Sequence, residues 1–573
     1  MNQSIDLLDG VITPPPDFPV HWDRPGDEQY YWTRDREHNP DPITPMFSSV
    51  AALTASAGRR PTVAEYDESL LARVDCTQNT YDYTRVVVFQ GPPEEMEKRM
   101  RSNREKMIAA CERLTELWET EWRPEIEAHW HFWAAFDLDT ADWDQLAIHL
   151  QETLERATRL YEVHYRMGPP MWFAIDEFEQ FYCDVFPGAT VLDAHRCLQG
   201  FDNKTLQIGR ALWHLSRLAR EIPSVQHVIE NFPSGTLRAV LRTLPGARKF
   251  YIALEEFLCG YGRRSDLWDW GYPSWEEDPT PVFNNLKSYL AQPDRNLLVD
   301  LDAAAVEREA AVRQARRELA GYPSAVRKRF ESLLKAAQLA LVLTEDHTYY
   351  IDFNGFGWVR RVIRQFGERL SAQGRLQFAN DVFYLTIQEL QRMIADPSMN
   401  CSALATGRRA EAVYWFAYPE PFALGTRPDS PLYVYSADAR RMARYLGAIV
   451  EGDGAEEQPF QLADVEILHG QPGSAGRVCG TARVIRSLAD AWRLQPGDIL
   501  VTTTTAPPWT PLFLTAAGLV TDAGGLLSHG AVVSREYRIP AVVGTRFATQ
   551  AILDGQTIEV DGSQGWVRII RGG

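Results

Sequence analysis

Apolar residues recur at three- and four-residue spacing through most of the first 430 positions, the period of an α-helix with one buried face. Leu146, Leu150, Leu154, Ala157, Tyr161 and His164 form such a stripe over Asp142–Gly168. The same spacing predicts helices over Glu94–Trp122, Asp302–Leu319, Ala325–Leu343 and Gly357–Gln373, and over Asp381–Ala395, where Asp396-Pro397 is a stop signal. Tyr83–Gln90 (YTRVVVFQ) is the one clear early strand. Near residue 477 the pattern changes. Short β-rich runs follow at Arg477–Arg486, Asp498–Thr502, Leu519–Thr521, Ala541–Val543, Thr557–Val560 and Trp566–Ile570, punctuated by Gly-Asp, Asp-Gly and Gly-Gly pairs. One helix is expected among them, from about Ser528 to Tyr537.

Composition divides the chain at the same place. Residues 466–573 hold 15 Gly, 9 Arg, no Lys and 8 acidic residues, so this part is nearly neutral, while the whole chain carries −18. The expectation is a multidomain protein: a largely α-helical body and a small C-terminal β/β/α domain. Four segments follow: an irregular arm rich in Pro, Trp and Asp over 1–80, a mainly helical domain over 81–432, a helix and flexible connector over 433–475, and the β/β/α domain over 476–573. Pro419–Pro431 and Glu451–Gly476 read as connectors.

Charge and motif absences remove several classes. A net charge of −18 disfavours nucleic acid as a partner. No run of eighteen apolar residues points to a membrane span, and the N-terminus has neither the basic start nor the apolar centre of a signal peptide. Seven scattered cysteines without a CxxC pair suit reduced thiols in a cytoplasm, and no metal site is expected. Only seven of the 59 basic residues are Lys, and none follows a GxxxxG, so there is no Walker-type phosphate loop.

One segment carries concentrated chemistry: TDAGGLLSHGAVVSREYRIPAVVG at 521–544. Gly524 and Gly525 form a phosphate-loop-like turn that glycine adopts freely. Ser528 is a suitable N-cap, which puts His529 in the first helical turn. Backbone N–H groups and the helix dipole there favour an anion and disfavour an imidazolium, leaving a ring lone pair for attack. Arg535 could pair with phosphate if it folds back.

The segment GGLLSHGAVVSREYRIPAVVG closely resembles the phosphohistidine signature of the swivelling domain in phosphoenolpyruvate-utilising enzymes. GRVCGTARVIR (476–486), PGDILV (496–501), PWTPLF (508–513) and DGQTIEVDGSQGWV (554–567) extend that resemblance over the whole tail. It implies that His529 is a phosphorylated nucleophile, with Ser528 and Arg535 beside it. FLCGYGRRSDLWDWGYPSWEEDP (257–279), DVFYLTIQEL (381–390) and the segment 21–45 resemble the acceptor-binding domain of rifampin phosphotransferase and its relatives, which often have Gly-His-Arg where Gly262-Arg263-Arg264 stands here. Nothing in the chain resembles an ATP-grasp domain, and no (β/α)8 barrel follows the His-bearing segment. That combination resembles the His-bearing subunit of two-component phenol phosphotransferases of the phenylphosphate and alkylphenol phosphate synthase type.

The resemblance implies a helical acceptor-binding body, a swivelling phosphohistidine domain, and a separate ATP-grasp subunit that binds ATP and Mg2+, forms AMP and phosphate, and loads His529. The acceptor would be a phenol or alkylphenol. An antibiotic phosphotransferase of the rifamycin kind and a non-catalytic phosphocarrier remain as alternatives. A loose phosphoryl-transfer transition state needs cations and positioning more than a strong base. Candidates for acceptor binding or base work are His347 in EDHTYYID (345–352), Arg263, Arg264, and Lys204 in GFDNKT (200–205). The Trp118, Trp122, Trp130 and Trp133 cluster reads either as an aromatic slot or as core.

Overall fold

The computed structural model describes residues 7–8, 11–12, 14–22, 24–292, 296–418, 420–427 and 465–570. The chain divides into two compact units. One comprises 1–170, 267–273 and 350–434; the other comprises 171–266, 274–349 and 435–573. Part of the expected 81–432 domain shares a unit with the C-terminal sheet.

The first unit combines helices with a six-stranded antiparallel sheet. Its strand order is Leu7–Leu8, Val11–Ile12, Ala423–Thr426, Tyr31–Arg34, Tyr81–Val88, Leu70–Gln78. Two expectations are corrected here. The segment 1–80 is not an irregular arm: it supplies strands and the helix Pro45–Tyr66, whose N-cap Thr44 accepts the Phe47 N–H. The Pro419–Pro431 connector contains the central strand Ala423–Thr426, which pairs with Trp32 and its neighbours. Phe18, Trp32, Tyr81, Tyr83, Trp415 and Leu424 pack together as one apolar cluster. Burial of that apolar surface stabilises the sheet more than local strand preference does. Trp122 and Trp133 are buried core, and the Trp133 indole N–H donates to Thr153. The helix Trp143–Val185 runs through Pro169 and Pro170, well past the expected end at Gly168.

The second unit joins helices to an eight-stranded sheet. The helices include Lys204–Arg220, Arg248–Tyr261, Thr280–Leu290, Leu297–Glu318 and Ser324–His347. Asn203 caps the first of these by accepting the Leu206 N–H at 2.9 Å. The sheet order is Ile467–His469, Trp566–Ile570, Thr557–Asp561, Arg477–Val484, Ile499–Thr502, Gly518–Thr521, Ala541–Val543, Gln471–Ser474. The four strands from Arg477–Val484 to Ala541–Val543 are mutually parallel, and the remaining pairings are antiparallel. Strands Ile499–Thr502 and Gly518–Thr521 are buried at every position, as parallel strands covered on both faces must be. Ile499, Val501, Val520, Val542, Ile558, Val560 and Val567 fill the core.

All six expected tail strands are present, with the expected helix at His529–Glu536 and a second, short helix at Ala548–Ala551 that the sequence reading did not include. The stretch expected to close a connector, 469–476, contains the edge strand Gln471–Ser474, and most of 433–475 lies outside the described residues. No helix among the described residues is long and apolar enough to cross a membrane.

Candidate functional site

The site lies within the second unit and is built from the turn that ends strand Gly518–Thr521. Gly524 has φ +105°, and a Cβ there would stand 2.8 Å from Ser528 Oγ, so both backbone conformation and space call for glycine. Ser528 occupies the N-cap position but makes no capping hydrogen bond. Its hydroxyl donates to the Gly525 carbonyl at 2.8 Å, tightening the turn. That corrects the expected capping role. His529 is then the first residue of the helix, which packs against Leu297–Glu318.

The His529 ring is held on three sides. Nδ1 is 3.1 Å from Glu345 Oε2, Nε2 is 3.3 Å from Thr510 Oγ1, and the ring meets Phe513 nearly edge-on, with centroids 6.1 Å apart. The His529 and Glu345 side chains are 7% and 4% exposed, so this contact is largely shielded from water. The Thr510 hydroxyl donates to the Pro507 carbonyl at 2.7 Å, which leaves its oxygen to accept from the ring. Glu345 also accepts the Thr205 hydroxyl at 2.7 Å. Burial alone would raise the Glu345 carboxyl, but the His529 ring, the Thr205 hydroxyl and His347 outweigh it and hold the carboxyl below its usual range.

Of the expected acceptor-side residues, His347 and Arg264 act electrostatically on Glu345. His347, two residues from Glu345, donates Nδ1–H to the Leu343 carbonyl at 2.8 Å. The Lys204 backbone N–H donates to Asp346 at 2.7 Å, and its ammonium reaches Gln207 and the face of Tyr349. Arg264 is buried over the Trp275 ring, 4.8 Å from its centroid. Burial brings its guanidinium down to about 10, against the pull of Asp266, Tyr349 and Glu345. Arg263 is 3.8 Å from Glu276. Arg264 and His347 are thus within electrostatic reach of Glu345, whereas Arg263 is placed by an ion pair with Glu276.

Arg535 does not fold back toward a phosphate position. It is buried, and its guanidinium donates to the Gly473 carbonyl at 2.8 Å and the Leu526 carbonyl at 2.9 Å. It braces the turn before His529 against the edge strand. The next residue, Glu536, accepts the Gly200 N–H with both oxygens at 2.9 Å, and burial pushes its carboxyl up to about 7. Gly200 has φ +74°, and a Cβ there would lie 2.4 Å from the Ala305 nitrogen, so only glycine permits this approach.

Sequence reasoning missed Glu345 and Thr510 as partners of His529, and Thr205 as a partner of Glu345. Each lies in a segment singled out for other reasons, but Glu345 is 184 positions from His529. No local spacing signals a pairing at that distance.

Residues 494–565 match the PEP-utilising enzyme, mobile domain, and residues 182–345 match the rifampicin phosphotransferase fourth domain. His529, Gly524, Gly525 and Arg535 fall in the first match; Thr205, Arg264 and Glu345 fall in the second. Among individual proteins, the chain is similar to a chondramide synthase of Chondromyces crocatus, at 35% identity over 99% of this chain and 14% of that protein. It is similar to an uncharacterised phosphotransferase of Bacillus subtilis strain 168, at 25% identity over 94% of this chain and 62% of the relative. It is also similar to the rifampicin phosphotransferase of that strain, at 29% identity over 64% of this chain and 40% of the relative. The chain therefore spans less than two thirds of the length of each of these relatives.

Proposed function

We propose that this chain is the phosphoryl-transferring part of a dikinase-type phosphotransferase. His529 receives a phosphoryl group originating from ATP and passes it to the hydroxyl of a small aromatic acceptor such as a phenol or alkylphenol. The observation that carries this reading is the docking of His529, in its mobile-domain match, on Glu345 at the end of the match to the rifampicin phosphotransferase fourth domain. A nucleophile at a helix start, against the segment proposed to bind the acceptor, is the arrangement a transfer step needs.

ATP and Mg2+ would be bound mainly by a separate ATP-grasp subunit, which forms AMP and phosphate. In the docked position the His529 side chain is only 7% exposed. Loading from a nucleotide therefore requires the ring to leave Glu345, and transfer requires it to return. This alternation is the swivelling of the phosphohistidine domain. Arg264 and Lys204 supply positive charge on the acceptor side, and His347, whose Nδ1–H is held by the Leu343 carbonyl, is the candidate base for the hydroxyl proton.

A second reading, a larger rifamycin-type acceptor, is favoured by the match of residues 182–345. The test supplies the chain with ATP, Mg2+ and an ATP-grasp partner, and offers phenol, cresol and rifampicin separately. Aryl phosphate from the small phenols alone supports the first reading. Product from rifampicin alone supports the second, and no product from any of them contradicts both.

A further inference from the structure

Glu345 does more than receive His529, and its chemistry follows from counting protons on the ring. Neutral imidazole has one N–H. Once Nε2 carries a phosphoryl group, Nδ1 holds a proton only if the ring is cationic. That proton decides the leaving group: with it, the P–N bond breaks to release neutral imidazole; without it, the leaving group is the far more basic imidazolate. A carboxylate that holds a proton on Nδ1 therefore activates the phosphorylated ring.

The geometry points to Glu345 as the residue that switches phospho-His529 from a stable carrier to an active donor when the His-bearing domain docks. The inference rests on the proposed phosphohistidine role of His529. Glu345 Oε2 lies 3.1 Å from Nδ1, on the ring edge away from Nε2, and is fixed from its other side by the Thr205 hydroxyl at 2.7 Å. At Nε2, the Thr510 hydroxyl already donates its hydrogen bond to the Pro507 carbonyl, so its oxygen is placed to accept an N–H. The docked ring is thus surrounded by two acceptors, the setting of an imidazolium with a proton on each nitrogen.

The step balances with that state as product. The acceptor oxygen bonds to phosphorus, and the P–Nε2 bond breaks with its electron pair going to Nε2. The acceptor hydroxyl proton ends on Nε2, directly or through His347. Phospho-His529 protonated on Nδ1, plus an alcohol, gives the phosphate ester plus an imidazolium held by ionised Glu345 and Thr510. Undocked, the ring loses the carboxylate, Nδ1 sheds its proton, and the phosphoramidate persists until the next docking. Glu345 is thus a positioning residue that acts through Nδ1.

Other charged groups face this pair. His347 and Asp346 lie on the helix of Glu345, Arg264 follows the helix Arg248–Tyr261, and Arg535 and Glu536 come from the helix of His529. Burial pushes the Asp346 carboxyl up to about 6 and Glu536 up to about 7, so these two change charge in the same pH range. The measurement must therefore compare variants at Glu345 alone.

Potassium phosphoramidate phosphorylates histidine directly and needs neither nucleotide nor partner. The full chain is loaded with it, phosphate is located by peptide mapping, and loss of phosphate from His529 to water is followed from pH 5 to 9. In the wild-type chain the fast, acid-side regime should extend about one pH unit higher than in Glu345→Gln, making wild-type loss at pH 8 about tenfold faster. Glu345→Asp, which keeps the carboxylate at a shorter reach, should fall between them and carries the test if Glu345→Gln does not fold. Superimposable profiles with phosphate on His529 in all three chains would overturn the role of Glu345 and leave the phosphohistidine reading standing. Absence of phosphate from wild-type His529 would remove that reading, and this inference with it.

Discussion

Two buried histidine–glutamate pairs occur in the same unit, and their settings differ. His195 Nε2 is 2.6 Å from Glu179 Oε1, with side-chain exposures of 0% and 4%. Its other nitrogen, Nδ1, meets no hydrogen-bond partner among the described residues. Burial and then Arg535 depress the His195 pKa, and the attraction of Glu179 does not make up the difference. The His529–Glu345 pair is longer, and its second nitrogen faces the Thr510 hydroxyl. It stands at the start of a helix that follows a glycine turn. A histidine–carboxylate contact alone is a packing device. It becomes chemistry when the ring sits where an anion is welcome and the contact can open and close.

Replacing the histidines should separate the two roles most sharply. His529→Ala should reduce phosphoryl transfer by the folded chain about 1,000-fold or more. His195→Ala should cost about 2–4 kcal/mol of stability through an emptied site and the lost hydrogen bond to Glu179, measured by denaturant unfolding, with transfer surviving in the folded fraction. A catalytic collapse in His195→Ala at unchanged stability would break the distinction.

Gly524→Ala comes next. The strained φ and the Ser528 contact should cost about 1–2 kcal/mol and displace His529, lowering transfer about tenfold; chemical denaturation and initial rates check the two effects.

How far the sequence reaches is visible in these residues. Gly524, Ser528 and His529 form a local pattern, so the turn, the helix start and the nucleophile are all legible from consecutive positions. The parallel strands are legible as well, because burial on both faces leaves unbroken apolar runs such as Ile499–Val501. Glu345 was not legible as a partner, since only tertiary packing joins residues 184 positions apart. Arg535 was misread for the same reason: its direction is set by carbonyls at Gly473 and Leu526 that no helical spacing encodes. The edge strand Gln471–Ser474 was hidden by glycine and proline, and Tyr31–Arg34 by the surrounding Pro, Trp and Asp.

The pH response should sharpen the comparison through opposite signs. His195 is held neutral in the folded chain, while an unfolded histidine binds a proton below about pH 6.5. Its contribution to stability is therefore lost as pH falls from about 6.5, and His195→Asn should flatten the acid side of the thermal-midpoint profile. Glu536 behaves in the reverse direction. Its carboxyl, raised to about 7, is ionised at a cost in the folded chain, so stability falls as pH rises from the ordinary carboxyl range through about 7. Glu536→Gln should gain thermal midpoint relative to wild type between pH 5 and 8. This is the smallest effect expected here, about 1–2 °C.

The central claim is that one phosphoryl group passes through His529 to an acceptor hydroxyl. The most direct measurement incubates the chain and an ATP-grasp partner with ATP radiolabelled in its β and γ phosphates, locates the label by peptide mapping, and then adds phenol. The account predicts label on His529 before phenol is added, none on the chain without the partner, and transfer of that label to phenyl phosphate afterwards. Phenyl phosphate formed at an undiminished rate by the His529→Ala chain would contradict it.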